Sequence, residues 1–230
     1  MRRLAYEASD NGLLSPDPAA SIRRVKGARK LGVRLGNWLT CVQGRRLLDA
    51  PNTRNTKVKR DHAILALLLG CGLRRAELIA LKLSHLQQRD DHWAIIDLYG
   101  NGGHVRTVPV PNWVKATVDA WLAAGGIEDG FIFRCVTNAG TVWGSGISEK
   151  VVWWVVRQYA KIAAIEKLSP HDLRRTCARP CHSTGGELEQ IQFLLGSSIC
   201  RNHRTIPRSS QRLVHSVNDR LGIEPDISLG

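Results

Sequence analysis

One hairpin signal inside an otherwise helical pattern constrains the fold of this chain most strongly. Two β-rich runs, residues 93–98 and 105–110, flank the sequence Gly100-Asn101-Gly102-Gly103, which supplies the glycines and the asparagine that a tight turn favours. Elsewhere apolar residues recur at helical spacing, and we predict helices over residues 42–48, 61–69, 76–81, 113–124, 149–164, 187–195 and 209–221. The pattern indicates a mainly α-helical chain with a small antiparallel β-sheet, an α+β fold.

Shorter segments complete this description. Residues 132–133 are predicted as a short third strand, and residues 51–59 as a polar loop. Tyr159 lies at helical spacing with several valines and is predicted as a core residue. One stripe of the helix at residues 113–124 is predicted as core in preference to a base-stacking face: Trp113, Val114, Val118 and Trp121.

The densest group of chemically active side chains lies at the predicted start of a further helix, residues 169–175. Ser169 is a typical N-cap, Pro170 suits the first helical position, and Asp172 is placed to return a capping hydrogen bond. His171 and Arg174 should then share one face of the first turn, where unpaired backbone amides favour an anion. The arrangement fits a phosphodiester, although a capped helix with a surface arginine would show the same short pattern.

The charge of the chain points to a polyanionic partner. It has 33 Lys and Arg residues against 20 Asp and Glu, a net charge of +13, and residues 18–48 contain eight basic residues and no acid. That stretch suits a phosphate backbone better than a membrane surface, because it lacks a wide apolar face rich in Trp and Phe. Without a long apolar run or a signal peptide, a cytoplasmic, nucleoid-associated protein with no membrane partner is expected.

Six cysteines show no disulfide-framework spacing, and a chain of this size without a signal peptide is expected to keep them reduced. The spacing of the nearest candidate zinc ligands matches no common zinc module. We therefore predict no metal site and interpret the cysteines as small core or surface residues. The side chains considered were Cys177, Cys181, His182, Cys200 and His203.

A second arginine motif lies about a hundred residues before the predicted helix start at residues 169–175. Gly72-Leu73-Arg74-Arg75-Ala76-Glu77-Leu78 follows a hydrophobic helix and opens another one. Together with His171-Asp172-Leu173-Arg174 it resembles the tyrosine recombinase, or phage integrase, family over residues 36–230. The resemblance implies a catalytic domain with a small sheet at one edge. For residues 1–35 it implies a truncated remnant of the N-terminal core-binding domain followed by a basic connector.

The resemblance also implies a reaction. Members of this family cut DNA by attack of a tyrosine hydroxyl on a phosphodiester, with no metal or nucleotide cofactor and no small-molecule substrate. Arg74 and Arg174 match the two arginines that stabilise the developing charge. His171 matches the histidine that binds the phosphate or handles a proton, and Glu77 matches the acid that orients the site. Duplex DNA contacts are expected from neighbouring basic residues: Arg75, His104, Arg106, Arg175, Arg23, Arg24 and Lys26.

Three family positions carry other residues in this sequence. Asn101 stands at the position of the family's hairpin lysine, Ser197 at that of its second histidine and Ile206 at that of its nucleophilic tyrosine. Every tyrosine precedes His171, so the covalent step of the family route lacks its nucleophile. Residues 197–208 as a whole fit no family pattern, and a pair of compensating frameshifts in the gene would explain them. We expect duplex binding without cleavage, as a homo-oligomer or in oligomers with intact recombinases.

Two alternatives stay open on the sequence alone. An active enzyme would need a tyrosine from a partner protomer, or a movement of Tyr99 or Tyr159 into the site. A decayed gene product would fit Asn101, the incomplete N-terminal domain and Pro180. That proline lies within the predicted helix of Arg174, which should run on toward Ser183, and it costs roughly 3 kcal/mol there unless the helix ends early.

Overall fold

The computed structural model describes most of the chain, namely residues 2–15, 17–18, 20–21, 38–89, 91–100, 105–183, 188–196, 216–219 and 221–223. The chain divides into two compact units, Met1–Leu35 and Gly36–Gly230. The described part of the first unit begins with helix α1 (Arg2–Asp10). Its assignment to a core-binding domain stays a prediction.

The second unit is mainly helical where it is described. None of the described helices has the length and apolarity that a membrane crossing requires. The elements are α2 (Cys41–Asp49), α3 (Thr56–Gly70), α4 (Arg75–Ile79), a 3₁₀ turn (Leu83–His85), β1 (Leu86–Arg89), β2 (His92–Tyr99), β3 (Val105–Val110), α5 (Asn112–Gly125), β4 (Cys135–Val136), β5 (Val142–Trp143), α6 (Glu149–Ile162), α7 (Pro170–Ser183) and α8 (Leu188–Leu195).

The described strands form two antiparallel sheets, one of β1, β2 and β3 in that order and one of β4 and β5. The predicted antiparallel pairing of the two β-rich runs and the α+β class are confirmed, with Trp93 of β2 opposite Val110 of β3. The predicted turn, from Asn101 onward, lies outside the described residues. Strands β1, β4 and β5 are too short to show a clear alternation and were not predicted. Residues 132–133 do not form a strand: Phe131 makes one isolated bridge with Lys82, and the two following side chains fill the core.

Helix α3 forms the centre of the core, and its residues 63–69 are all buried. An apolar surface on every side suits a helix that packs against other elements all round, and α3 contacts α2, α5, α6 and α7. At its C-terminal end Gly70 allows α5 to approach closely, because a β-carbon there would overlap Trp113 and Val114. The predicted core stripe of α5 is confirmed, since all four of its members are buried.

Local capping decides where several helices begin. Thr40 and Gln43 form the predicted start of α2: Thr40 Oγ1 accepts from the Gln43 N–H at 3.2 Å, and Gln43 Oε1 accepts from the Thr40 N–H at 3.0 Å. Asn55 caps α3, because its Oδ1 accepts from the Val58 N–H at 2.9 Å. The helix therefore begins earlier than predicted, and the second half of the predicted polar loop is helical instead.

Helix α7 begins as the capping pattern predicts. The Ser169 N–H and hydroxyl donate to Asp172 Oδ2 at 3.0 and 2.6 Å. The helix then continues to Ser183 with Pro180 inside it, so it does not end early. Because proline has no amide hydrogen, position 180 donates no helical hydrogen bond to the carbonyl of Thr176.

Replacing Pro180 with alanine is expected to raise the free energy of unfolding by about 1–3 kcal/mol, because alanine restores the amide donor and favours the helix. Urea unfolding followed by circular dichroism measures the change. The matched control is Pro111→Ala, since Pro111 stands at the N-cap of α5, where a proline interrupts no helical hydrogen bond. Equal shifts in the two variants would contradict the assignment of the cost to Pro180.

The predicted helix over residues 209–221 is wrong in its described part, because residues 216–219 form a turn. The buried Asn218 side chain accounts for the turn: its Nδ2 donates to the carbonyls of Gly70 at 2.8 Å and Pro109 at 2.9 Å. Ser216 Oγ donates to Asn218 Oδ1 at 2.9 Å. One side-chain amide therefore ties this turn to the ends of α3 and β3.

Candidate functional site

The site is built where the starts of α4 and α7 meet the end of α8. Gly72 precedes α4 with a φ of +60°, a conformation that glycine adopts without strain. A β-carbon at Gly72 would lie 3.0 Å from Leu195 Cδ2 and 3.3 Å from Cys177 Sγ. The bare backbone thus lets α7 and α8 pack against the turn that carries Arg74.

Glu77 is the central carboxylate of the site, and its side chain is 3% exposed. Arg106 binds it with two hydrogen bonds, Nη1 to Oε1 at 2.7 Å and Nη2 to Oε2 at 2.8 Å. Arg74 adds its backbone N–H to Oε2 and its Nη1 to Oε1, both at 2.7 Å. Burial raises the pKa of Glu77, but the hydrogen bonds and charge of Arg106, followed by the bonds from Arg74, outweigh it and lower the pKa to about 2.

Arg174 is buried, and backbone carbonyls hold it in place. Its guanidinium donates to the carbonyls of Gly72 and Leu195. Burial, followed by the charges of Arg74 and Arg106, lowers the pKa of Arg174 to about 10, so the group is still protonated at neutral pH. Arg74 and Arg106 bind the Glu77 carboxylate directly, whereas Arg174 interacts with it only through charge. Among the described residues this arginine cluster, Arg74, Arg106 and Arg174, therefore has an excess of positive charge.

Arg74 and His171 form the accessible side of the arginine cluster. The Arg74 side chain is 34% exposed, and its Nη2 donates to the carbonyl of Gly196 at 3.3 Å. His171 is exposed, and burial followed by the charges of Arg175 and Arg174 lowers its pKa, with a smaller contribution from Arg74. A lowered pKa leaves the imidazole mainly neutral at pH 7, with one nitrogen able to donate and one able to accept. The structure thus brings Arg74, His171 and Arg174 together.

Arg106 was predicted to contact DNA, but the structure shows that its side chain is buried and bound to Glu77. Its side chain is 8% exposed, and besides Glu77 it binds the carbonyl of Leu194 through Nε at 3.2 Å. It therefore joins β3 to α4 and α8. The period of two in a strand could have shown this, because it places Arg106 on the same face as Val108 and Val110, which are both buried.

The other predicted DNA contacts fall into two groups. Arg75 and Arg175 lie on the surface and make only loose ion pairs, 3.5 Å from Glu149 and 3.8 Å from Asp172. The remaining predicted contacts lie outside the described part of the chain: Arg23, Arg24, Lys26 and His104. The three altered family positions, Asn101, Ser197 and Ile206, also lie outside it.

Neither described alternative tyrosine belongs to the arginine cluster. Tyr159 is buried as predicted, and its hydroxyl donates to Asp61 Oδ2 at 3.4 Å. Burial, followed by the charge of Asp61, raises the pKa of Tyr159, which keeps the phenol protonated. Arg60 pairs with the same carboxylate at 2.7 Å, so Tyr159 completes a buried polar network. Tyr99 lies exposed at the end of β2.

The cysteines show no shared site in the part of the chain that the structure describes. Cys71 and Cys177 are buried, Cys41 is exposed and Cys135 is half-buried. No group of three or more His, Cys, Asp or Glu side chains among the described residues is arranged to hold a metal ion. Cys200 and His203 lie outside those residues.

Comparison with known proteins gives a consistent family signal. A family model described as the phage integrase family matches residues 37–204. Tyrosine recombinase XerC of Corynebacterium efficiens is 31% identical over 214 residues, which cover 91% of this chain and 65% of that protein. Tyrosine recombinase XerD of Proteus mirabilis is 32% identical over 206 residues, covering 86% and 62%. The chain thus spans less than two thirds of the length of these relatives.

Solved structures with the same fold share less sequence with the chain. The XerA recombinase has a TM-score of 0.58 at 21% identity, over 85% of this chain and 72% of that one. The XerH site-specific recombinase in a post-cleavage complex with a palindromic difH substrate has a TM-score of 0.61 at 17% identity, over 77% and 51%. A lambda integrase dimer bound to a COC′ core site has a TM-score of 0.56 at 17% identity, over 90% and 74%.

Proposed function

The chain belongs to the phage integrase family of tyrosine recombinases, and from this membership we propose that it binds duplex DNA without cutting it. In this proposal Arg74, His171 and Arg174 hold one phosphodiester. The observation that carries the proposal is the arginine cluster, in which Glu77 pairs with Arg74 and Arg106 while Arg174 is held by backbone carbonyls, so that in the described part of the chain three positive charges meet one negative charge. A phosphodiester supplies the missing negative charge and acceptor oxygens.

The contacts of the arginine cluster support a preformed phosphate site. Glu77 fixes Arg74, and backbone carbonyls fix Arg174, so neither guanidinium has to be ordered when the anion arrives. Donors that are already in place bind an oxyanion more strongly than donors that must reorganise. A mainly neutral His171 adds one donor for a phosphate oxygen. The proposed site therefore has the donors for binding, in the absence of any covalent step.

The absence of cleavage rests on the nucleophile. No tyrosine occurs in residues 160–230, Ile206 stands at the family position, and the Tyr159 hydroxyl is bound to a buried carboxylate. Some structural neighbours are recombinases in DNA-bound oligomers, such as a lambda integrase tetramer on a Holliday junction. We propose that this chain joins assemblies of that type on DNA, with itself or with intact relatives.

A nicked duplex carrying a labelled strand tests whether the covalent cleavage step is absent. The full-length protein, incubated with the nicked duplex and run on a denaturing gel, is expected to give no covalent protein–DNA adduct. A recombinase with an intact nucleophile, on its own nicked site, is the positive control. An adduct formed by this chain alone would overturn the inactive assignment. An adduct that forms on the active relative only in a mixture with this chain would indicate that the relative's tyrosine acts in trans.

Binding itself is tested by titrating a duplex of about 30 base pairs at several salt concentrations. Each phosphate contact is expected to add about −0.9 to the slope of log K against log salt, and several contacts should give a slope steeper than roughly −3. A flat slope with weak binding would favour a decayed gene product. Fluorescence anisotropy of a labelled duplex measures both quantities.

A further inference from the structure

Three tryptophans that the proposed function does not use lie exposed on one side of the second unit. Trp143 of β5, Trp153 of α6 and Trp154 of α6 are 58%, 42% and 59% exposed. Indoles are large and mostly apolar, so three of them in water on one face indicate a binding surface. Trp143 and Trp154 line one cavity of about 400 Å³, and Trp153 and Trp154 line an adjoining groove. Trp154 belongs to both, so the surface is continuous.

Basic side chains alternate with these indoles along α6. Lys150, Trp154, Arg157 and Lys161 follow each other at intervals of four, three and four residues, which places them on one exposed face of the helix. Lys57, at the start of α3, lines the same cavity as Trp143 and Trp154. Cation and indole also contact each other here, because the Arg157 guanidinium lies 5.7 Å from the centre of the Trp153 ring.

Acidic side chains are scarce on this surface. Among the described residues that line the cavity and the groove, Glu166 is the only exposed acid. Asp61 also lines the cavity, but it is buried and paired with Arg60. Lys57, Lys150, Arg157 and Lys161 therefore face outward as a stripe of one charge sign.

We propose that Trp143, Trp153, Trp154 and the cations around them form a binding surface for unpaired, single-stranded nucleic acid. Bases stack on the indole faces, and Lys57, Lys150, Arg157 and Lys161 contact the phosphates. Exposed aromatic rings in a positively charged groove are the combination that binds single strands without sequence preference. In a duplex the bases stack on each other, so their faces are not free to stack on the indoles. This surface is therefore distinct in chemistry from the arginine cluster.

Charge favours nucleic acid over a protein partner at this surface. A hydrophobic protein interface is usually depleted of lysine at its centre, whereas here Lys57 and Lys150 line the same cavity as the exposed indoles. A second copy of the chain would bring the same cations opposite each other across a symmetric contact. A single strand instead brings one phosphate for each stacked base.

The test compares full-length wild type with Trp154→Ala and with the double variant W143A/W154A. The probe is a fluorescein-labelled single strand of twenty thymidines, and a labelled duplex of equal length is measured in parallel by anisotropy. Each tryptophan loss is expected to raise the Kd for the single strand about tenfold. The Kd for the duplex is expected to change by less than about twofold.

Trp38→Ala is the matched control, because Trp38 is also partly exposed but contacts Arg179 and lines neither the cavity nor the groove. Quenching of tryptophan fluorescence on adding the single strand should diminish in W143A/W154A and persist in the control. Thermal unfolding confirms that each variant is folded. Trp154→Phe keeps a ring for stacking and is expected to recover most of the affinity.

Three results would overturn the proposal. They are absence of single-strand binding by the wild type, an unchanged single-strand Kd in W143A/W154A, and a wild-type dimer that becomes monomeric in that variant while its single-strand Kd is unaffected. The last would show that a second copy of the chain covers the surface. Arg74→Ala separates this proposal from the duplex-binding function, because it should weaken duplex binding and leave thymidine binding unchanged.

Discussion

Glu77→Gln is expected to lower the free energy of unfolding at pH 7 by about 3–5 kcal/mol, because it removes the buried carboxylate that pairs with Arg74 and Arg106 and offsets the charge of Arg174. Arg106 would lose its bidentate partner while its side chain stays buried. A glutamine carbonyl accepts hydrogen bonds but carries no charge to offset the arginines. Urea unfolding at neutral pH measures the effect.

The same carboxylate gives wild type a defined acid sensitivity. The folded-state pKa of Glu77 is lowered from 4.5 to about 2, so its ionisation stabilises the fold above pH 4.5. That contribution, roughly 3 kcal/mol, is lost as the pH falls from 4.5 toward 2. The difference in stability between wild type and Glu77→Gln should therefore shrink over that range.

Glu149→Gln is the matched control for Glu77→Gln. Glu149 also pairs with an arginine, but both side chains are more than 40% exposed and the closest atoms are 3.5 Å apart. Exposed pairs of this kind contribute about 0–1 kcal/mol. If Glu77→Gln costs no more than Glu149→Gln, the central role of the Glu77 carboxylate is wrong.

Arg74→Ala is expected to weaken duplex DNA binding by about 10- to 100-fold, the loss of one charge-assisted contact to a phosphate. Arg74 is the suitable cluster arginine for this test because its side chain is partly exposed. Arg174, in contrast, is buried and donates hydrogen bonds to two backbone carbonyls. The slope of log K against log salt should become shallower by about 0.9. Anisotropy titration of a labelled duplex measures both changes.

Arg89→Ala controls for the loss of one positive charge in the Arg74 test. Arg89 is exposed on β1, where it lies opposite His92, the first residue of β2, in the strand register. It should reduce duplex affinity by less than about threefold. Equal losses in Arg74→Ala and Arg89→Ala would mean that overall charge, and not the arginine cluster, binds the duplex.

Local chemistry explains why several elements were predictable from sequence. Ser169 and Asp172 are three residues apart, and the hydrogen bonds between them form whenever the helix starts there. The hairpin at β2 and β3 follows from glycines between two β-rich runs. The Asn55 cap is equally local, but Asn55 precedes a polar first turn, so apolar periodicity places the start of α3 later than the structure does.

Contacts between segments that are distant in sequence cannot be predicted from capping motifs or apolar periodicity. The turn at residues 216–219 replaces a predicted helix because Asn218 reaches the carbonyls of Gly70 and Pro109, 148 and 109 residues earlier. Arg106 meets Glu77 across 29 residues, and Arg174 meets the Gly72 carbonyl across 102. Propensity and capping act over about four residues, so they contain no information on such pairs.

The sequence by itself determined the family motifs, the helix starts they occupy and the lack of a tyrosine after Tyr159, because each of these is a matter of residue identity and short spacing. Only the tertiary structure decided that Arg106 supports Glu77 from within, that backbone carbonyls hold Arg174, and that three tryptophans share one basic face. Packing of α4, β3, α6 and α8 brings those groups together, and packing depends on the whole core.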